Sequence, residues 1–260
     1  MKVLILTSGS LRHKFFISTI QKYFDLIGVL VEDKGKYYSE QSDNSKLVKN
    51  HFKKLLETEK NFFLENLGEF NLDGIKTKKI NKGEVNKKHA LDWAKKLKPD
   101  AIFLFGTSIL NDEWLNHYKD KIVNLHLGLS PFYKGSATLF WPFVNGELEC
   151  VGATIHLATK KVDSGGIIAR IKPDINEKDN FYTVNYKTIK EAIEFFPLAT
   201  KQYFSGNREL ILKNVEDGKL YKKKDFNELV LGQVIDQYGC FIPNSTINEI
   251  KYTKKCIYCQ

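Results

Sequence analysis

The sequence has no stretch of about eighteen consecutive apolar residues, so no segment is expected to cross a membrane as a hydrophobic helix. Its opening residues, MKVLILTSGS, offer one Lys and five apolar residues before turning polar. That is too short for the apolar region of a secretory signal and reads as a first strand. Cysteine is scarce, with only Cys150, Cys240, Cys256 and Cys259. Without a secretory signal these are expected to be reduced thiols in a cytoplasmic protein rather than a disulfide framework. The terminal pair Cys256 and Cys259 has no second close pair to complete four ligands, so no metal is expected. Internal repeats and low-complexity segments are absent as well.

Positive charge, by contrast, is in excess. The net charge of +9 is spread over doublets and triplets such as KTKK, KKHA and YKKKD. Scattered lysines of this kind read first as solvated surface, although nucleic acids or small polyanions would also be attracted. The length of 260 residues suffices for a sizeable core.

Short apolar runs alternate with amphipathic segments along the chain. Strands are expected at 2–6, 26–33, 100–106, 122–128, 150–158 and 166–173. Helical spacing of apolar residues marks 11–24, 44–66, 86–97 and 181–204. This alternation argues an α/β fold with a mostly parallel sheet and helices on both faces. Residues 1–205 form the expected catalytic domain, and 206–260 a small C-terminal α/β appendage with a strand–turn–strand element near 209–230. Sheets of this type open their ligand crevice at the carboxyl ends of the strands.

The stretch IVNLHLGLSPFYKG (122–135) places Asn124 and His126 on one face of an otherwise apolar strand, at its C-terminal end. An amide and an imidazole side by side suit a carbonyl oxygen that gains negative charge, and the imidazole can also handle a proton. Asp163 falls before a Gly-Gly turn in GATIHLATKKVDSGGIIAR (152–170). It reads either as a turn aspartate or as the carboxylate that orients an imidazole. His156, alone in an apolar strand, reads as a structural residue behind the site. In TSGSLRH (7–13), Ser10, Arg12 and His13 open a helix whose N-terminus is suited to an anion.

Taken together, NLH with LSPFYKGS, then GATIH, then VDSGGIIA resembles the folate-dependent formyltransferases over roughly residues 1–200. That family includes glycinamide ribonucleotide transformylase, methionyl-tRNA formyltransferase and the sugar N-formyltransferases. The resemblance implies a Rossmann-like fold, 10-formyltetrahydrofolate as donor, no metal, and Asn124, His126 and Asp163 as catalytic residues. It places the pterin beside Phe105, Gly106, Thr107 and Val162. The family's loop after the strand implies acceptor contacts from Ser130, Tyr133 and Lys134.

The acceptor is read by elimination. Glycinamide ribonucleotide transformylases hold phosphate on a Gly-Ser-Asn turn, but here Leu11 follows Ser10. The tRNA enzymes carry a large C-terminal barrel, for which about sixty residues after 200 are too few. GKLYKKKDF (218–226) resembles a segment of the tRNA and sugar enzymes. The expected partner is therefore a nucleotide-linked amino sugar, with tRNA second and glycinamide ribonucleotide third; a homodimer is left open. A basic RNA- or folate-binding module without turnover is the non-enzymatic alternative. Phe140, Trp141 and Phe143 are read as core or as stacking surface, with core favoured for at least two of them.

Overall fold

The computed structural model describes residues 1–34, 45–68, 70–206 and 218–252. Its first strand, β1 (Lys2–Thr7), shows why the sheet is covered on both sides. Val3 and Ile5 pack in one core with Phe16 and Ile20 of α1 (Leu11–Gln21), while Leu4 and Leu6 pack in another. The period of two in the strand thus sends alternate side chains into two separate apolar layers.

The chain continues through β2 (Asp25–Glu32), α2 (Lys46–Leu67), β3 (Lys76–Ile80), α3 (Lys88–Leu97), β4 (Ala101–Phe105), α4 (Asp112–His117) and β5 (Ile122–His126). Then follow β6 (Tyr133–Gly135), α5 (Trp141–Val144), β7 (Ala153–Leu157), β8 (Ile167–Ile171) and α6 (Phe181–Phe204). The C-terminal part holds β9 (Lys219–Tyr221), α7 (Glu228–Tyr238) and α8 (Asn244–Tyr252). Seven strands form one sheet in the order β3-β2-β1-β4-β5-β7-β8. All neighbours from β3 to β5 are parallel, and β7 runs antiparallel between β5 and β8. This is the α/β, Rossmann-like architecture the sequence predicts. The order reverses between β1 and β4, which opens a crevice at their carboxyl ends.

Several elements depart from the sequence expectation, among them β6, α5 and the following three. β3, KTKKI, is an edge strand whose lysines are mostly solvent-exposed, so it lacks an apolar run; charged side chains also protect such an edge from further pairing. The short helix α4 is capped by the Asn111 side chain, which accepts from the Trp114 amide, and was hidden by its length. In the C-terminal stretch, β9 is followed by a turn and by helix α7, capped by Asn227, rather than by a second strand. Residues 207–217, where the first of the two expected strands begins, lie outside the described residues, as do Cys256 and Cys259. Leu231, Val234 and Tyr238 of α7 are buried in the same core as Phe143 of α5. Phe140, Trp141 and Phe143 are all buried, and of the three only Phe140 lines the crevice.

Candidate active site

β5 ends where its polar residues begin to matter. Val123 and Leu125 enter the core shared with α6, while Asn124 and His126 are turned to the other face and reach a cleft of about 930 Å³. The antiparallel register of β7 sets His156 directly opposite Asn124 and Thr154 opposite His126. Asn124 Nδ2 lies 3.1 Å from His156 Nε2. His156 Nδ1 lies 2.8 Å from the carbonyl of Leu157, which can only accept, so the proton sits on Nδ1 and Nε2 accepts from Asn124.

Asp163 closes the cluster. Its Oδ2 is 3.4 Å from His126 Nδ1, and its Oδ1 is 3.6 Å from His156 Nε2. The amide of Gly135 in β6 donates to Oδ2 at 2.9 Å. The loop holds Asp163 in the left-handed region at φ 47°, a conformation that costs a residue of its type about 1–3 kcal/mol. That cost is sustained by contacts made through both the side chain and the backbone, since Ser130 Oγ donates to the Asp163 carbonyl at 3.4 Å.

His126 is 6 % exposed, and both of its ring nitrogens are engaged. Nε2–H donates to the Tyr133 carbonyl at 2.9 Å, leaving Nδ1 toward Asp163. Burial pushes this imidazole below its ordinary pKa, and the Asp163 carboxylate opposes that shift. Burial alone would raise Asp163, but the charge of His126, the largest opposing cause, and the Gly135 amide bring it down to about 2. Gly128 is required here, because a Cβ would collide with the His126 ring and with Thr138.

The structure therefore brings Asn124, His126 and Asp163 together, and adds His156 between Asn124 and Asp163. Phe105, Gly106, Thr107 and Val162 line the same cleft, as do Arg12 and His13. Other expected contacts fall elsewhere. Ser130, Tyr133 and Lys134 are buried behind the site and do not line the cleft. The Ser130 amide donates to Thr154 Oγ1, and its carbonyl accepts from Arg170 Nε. Tyr133 donates its hydroxyl to Glu147 at 2.6 Å. This loop braces His126 and Asp163 from behind, with its Tyr133 carbonyl on the imidazole and its Gly135 amide on the carboxylate.

The anion cradle expected at Ser10, Arg12 and His13 is also altered. Glu59 of α2, 3 % exposed, accepts from the Arg12 amide at 2.9 Å and from its guanidinium at 2.9 Å. The first turn of α1 is thus closed by an internal carboxylate. His13 shares a hydrogen bond with Thr7 Oγ1, and burial followed by the charge of Arg12 pushes its pKa well below the usual value, so it is a neutral ring. Ser10 does not line the cleft, and its buried hydroxyl has no partner among the described residues.

The sequence model of the formyl transferase family matches residues 1–200. The chain belongs to that family. A curated relative, the bifunctional polymyxin resistance protein ArnA of Wigglesworthia glossinidia brevipalpis, is 41% identical over 131 residues. The match takes in 50% of this chain but only 19% of ArnA. Among solved structures, a sugar N-formyltransferase from a Shewanella species superposes with a TM-score of 0.57 and 17% identity, over 93% of this chain and 90% of that one. A phosphoribosylglycinamide formyltransferase from Anaplasma phagocytophilum gives 0.56 at 15% identity, over 79% of this chain and 87% of the other. These likenesses are of fold. Among the described residues no helix is long and apolar enough to cross a membrane, and no group of three or more His, Cys, Asp or Glu could hold a metal ion.

Proposed function

We propose that this formyl transferase family member moves a formyl group from 10-formyltetrahydrofolate to the amine of a nucleotide-linked amino sugar. The observation that carries the reading is the Asp163–His126 contact beside Asn124 at the mouth of the crevice. The folate side is the wall made by the loop after β4 and the loop before β8, where Phe105, Gly106, Thr107, Ile109 and Val162 offer backbone groups and apolar surface.

In this reading the neutral amine attacks the formyl carbon, and the carbonyl oxygen becomes an oxyanion. Asn124 uses one N–H on His156 and keeps the second for that oxygen. The His126 Nε2–H, which rests on the Tyr133 carbonyl, turns to it as the second donor. The C–N bond to the sugar forms and the C–N10 bond of the folate breaks. The amine's proton passes through the Asp163–His126 pair to N10, giving a formamide and tetrahydrofolate.

Glu59 supports a sugar acceptor over glycinamide ribonucleotide, because a carboxylate already on the α1 N-terminus repels a second anion such as a phosphomonoester. The test is to supply 10-formyltetrahydrofolate with UDP-, dTDP- and GDP-linked amino sugars and to follow released tetrahydrofolate. Turnover on one of them is expected. Turnover on aminoacyl-tRNA or glycinamide ribonucleotide alone overturns the acceptor.

A further inference from the structure

The residues after β9 take no part in the chemistry above, yet they form part of the cleft. Lys223 and Phe226 both line it. They stand on a firm mount. β9 pairs in parallel with β6, and the Ser136 amide donates to the Tyr221 carbonyl at 2.9 Å. The Tyr221 ring is stacked between Tyr133 at 5.6 Å and Trp141 at 4.6 Å, with interplanar angles of 10° and 14°. Gly218 passes so close to the Pro131 carbonyl that any Cβ would collide with it. The strand that holds this segment, β6, is the one whose Gly135 amide grips Asp163 and whose Tyr133 carbonyl holds His126.

Facing Phe226 are other flat rings that line the cleft. Phe140 lies 5.2 Å from it, His51 6.2 Å and Phe52 6.4 Å. His51 is an uncharged member, since burial lowers its pKa to about 4. Cations share the cleft with these rings: Arg12, Lys34, Lys82 and Lys223 all line it. Burial lowers the pKa of Lys34, as do the positive charges of Arg12, Lys223 and Lys82, with Glu32 opposing. Arg12 pairs with Glu59, and the cleft keeps a basic side that attracts a polyanion. α6 adds Asn185 to the lining of the same cleft, 6 % exposed, with an Oδ1 that has no partner among the described residues. A buried amide oxygen without a donor is a costly feature unless a ligand supplies one.

We propose that residues 218–226 form the acceptor wall of the cleft, a nucleoside diphosphate subsite in which Phe226 and Phe140 take the base and Lys223 with Lys34 takes the diphosphate. Asn185 then reads a hydroxyl or amide N–H of the attached sugar. The inference rests on the formyl-transfer reading for the sugar's amine, but the nucleotide subsite can be tested without turnover. The competing anion is the glutamate tail of the folate, which also carries carboxylates.

The experiment uses the full chain and the variants Lys223→Glu and Phe226→Leu, with circular dichroism to verify folding. Binding of UDP, dTDP and GDP is measured by calorimetry without folate, and KM for donor and acceptor is measured separately. At least one nucleoside diphosphate is expected to bind wild type, and Lys223→Glu to weaken it about tenfold, a loss of about 1.4 kcal/mol. The acceptor KM should rise by a similar factor, with kcat and the folate KM changed less than about twofold. Phe226→Leu should weaken binding by a smaller factor without altering its salt dependence, since it removes no charge. Loss of nucleoside diphosphate binding in Lys223→Glu without turnover of any amino sugar supports the subsite and overturns the formyl-transfer acceptor. Formyl transfer with unchanged acceptor KM in Lys223→Glu overturns the subsite alone. A rise in folate KM in its place assigns the cations to the donor and overturns it too, as does a wild type that binds none of the three nucleotides.

Discussion

A buried and a largely buried carboxylate stand at the carboxyl edge of the sheet, and their surroundings differ in kind. Glu32, the last residue of β2, is 1 % exposed and takes two backbone amides, Gly83 at 2.8 Å and Ser108 at 2.6 Å. Asp163 takes one backbone amide and faces two imidazoles. Backbone amides solvate a carboxylate but exchange no proton with it, so Glu32 ties the loops after β3 and β4 together. Imidazoles can both take up and release a proton, so Asp163 touches groups with which one can be exchanged. Burial of an acid is thus no sign of chemistry by itself; what touches it decides.

Four perturbations sharpen this contrast. Asp163→Asn should lower kcat about a thousandfold or more, because the neutral amide can neither charge-pair with His126 nor relay a proton. Single-turnover formyl transfer measures it, and a loss below tenfold would return Asp163 to the role of a turn residue. Asn124→Ala removes one oxyanion donor and should cost on the order of a hundredfold in kcat, with smaller changes in KM. The third is a stability measurement. The Asp163 pKa of about 2 lies below its ordinary 3.8, so its ionised form stabilises the fold fully above that ordinary value. That contribution, about 2 kcal/mol, is lost as pH falls from about 4 through 2. Denaturant unfolding over that range should show a steeper slope in wild type than in Asp163→Asn, by the share of this one group. Glu32→Gln is expected to do the least to the chemistry. It sets an amide N–H against a backbone N–H and should destabilise by about 1–2 kcal/mol, a few degrees in Tm. Its kcat should stay within about threefold of wild type by the same reasoning, since no reacting proton passes through a backbone-held carboxylate.

The parts of the site legible in the sequence were those governed by local period. Alternation along β5 put Asn124 and His126 on one face, and the apolar runs of β1, β4 and β5 announced a covered sheet. His156 was read as structural because nothing local ties it to Asn124. Their contact follows from the antiparallel register of β5 and β7, thirty-two positions apart. The closure of α1 by Glu59 was illegible for the same reason, since α2 reaches the Arg12 amide across 47 positions. Ser130, Tyr133 and Lys134 follow the active-site strand in sequence but fold behind it. The resemblance implied acceptor contacts for this loop, and the structure places these three side chains off the cleft.

By itself, the sequence determined the layered α/β fold, the strand ends that carry polar groups, and the Asn–His pair, because all three depend on side-chain period and turn residues within a short window. Only the tertiary structure decided that His156 joins Asn124 and Asp163, which carboxylate blocks the α1 N-terminus, and that β9 delivers Lys223 and Phe226 to the cleft. Those outcomes depend on register, on aromatic stacking around Tyr221 and on approach between distant segments, and no local pattern encodes such distances.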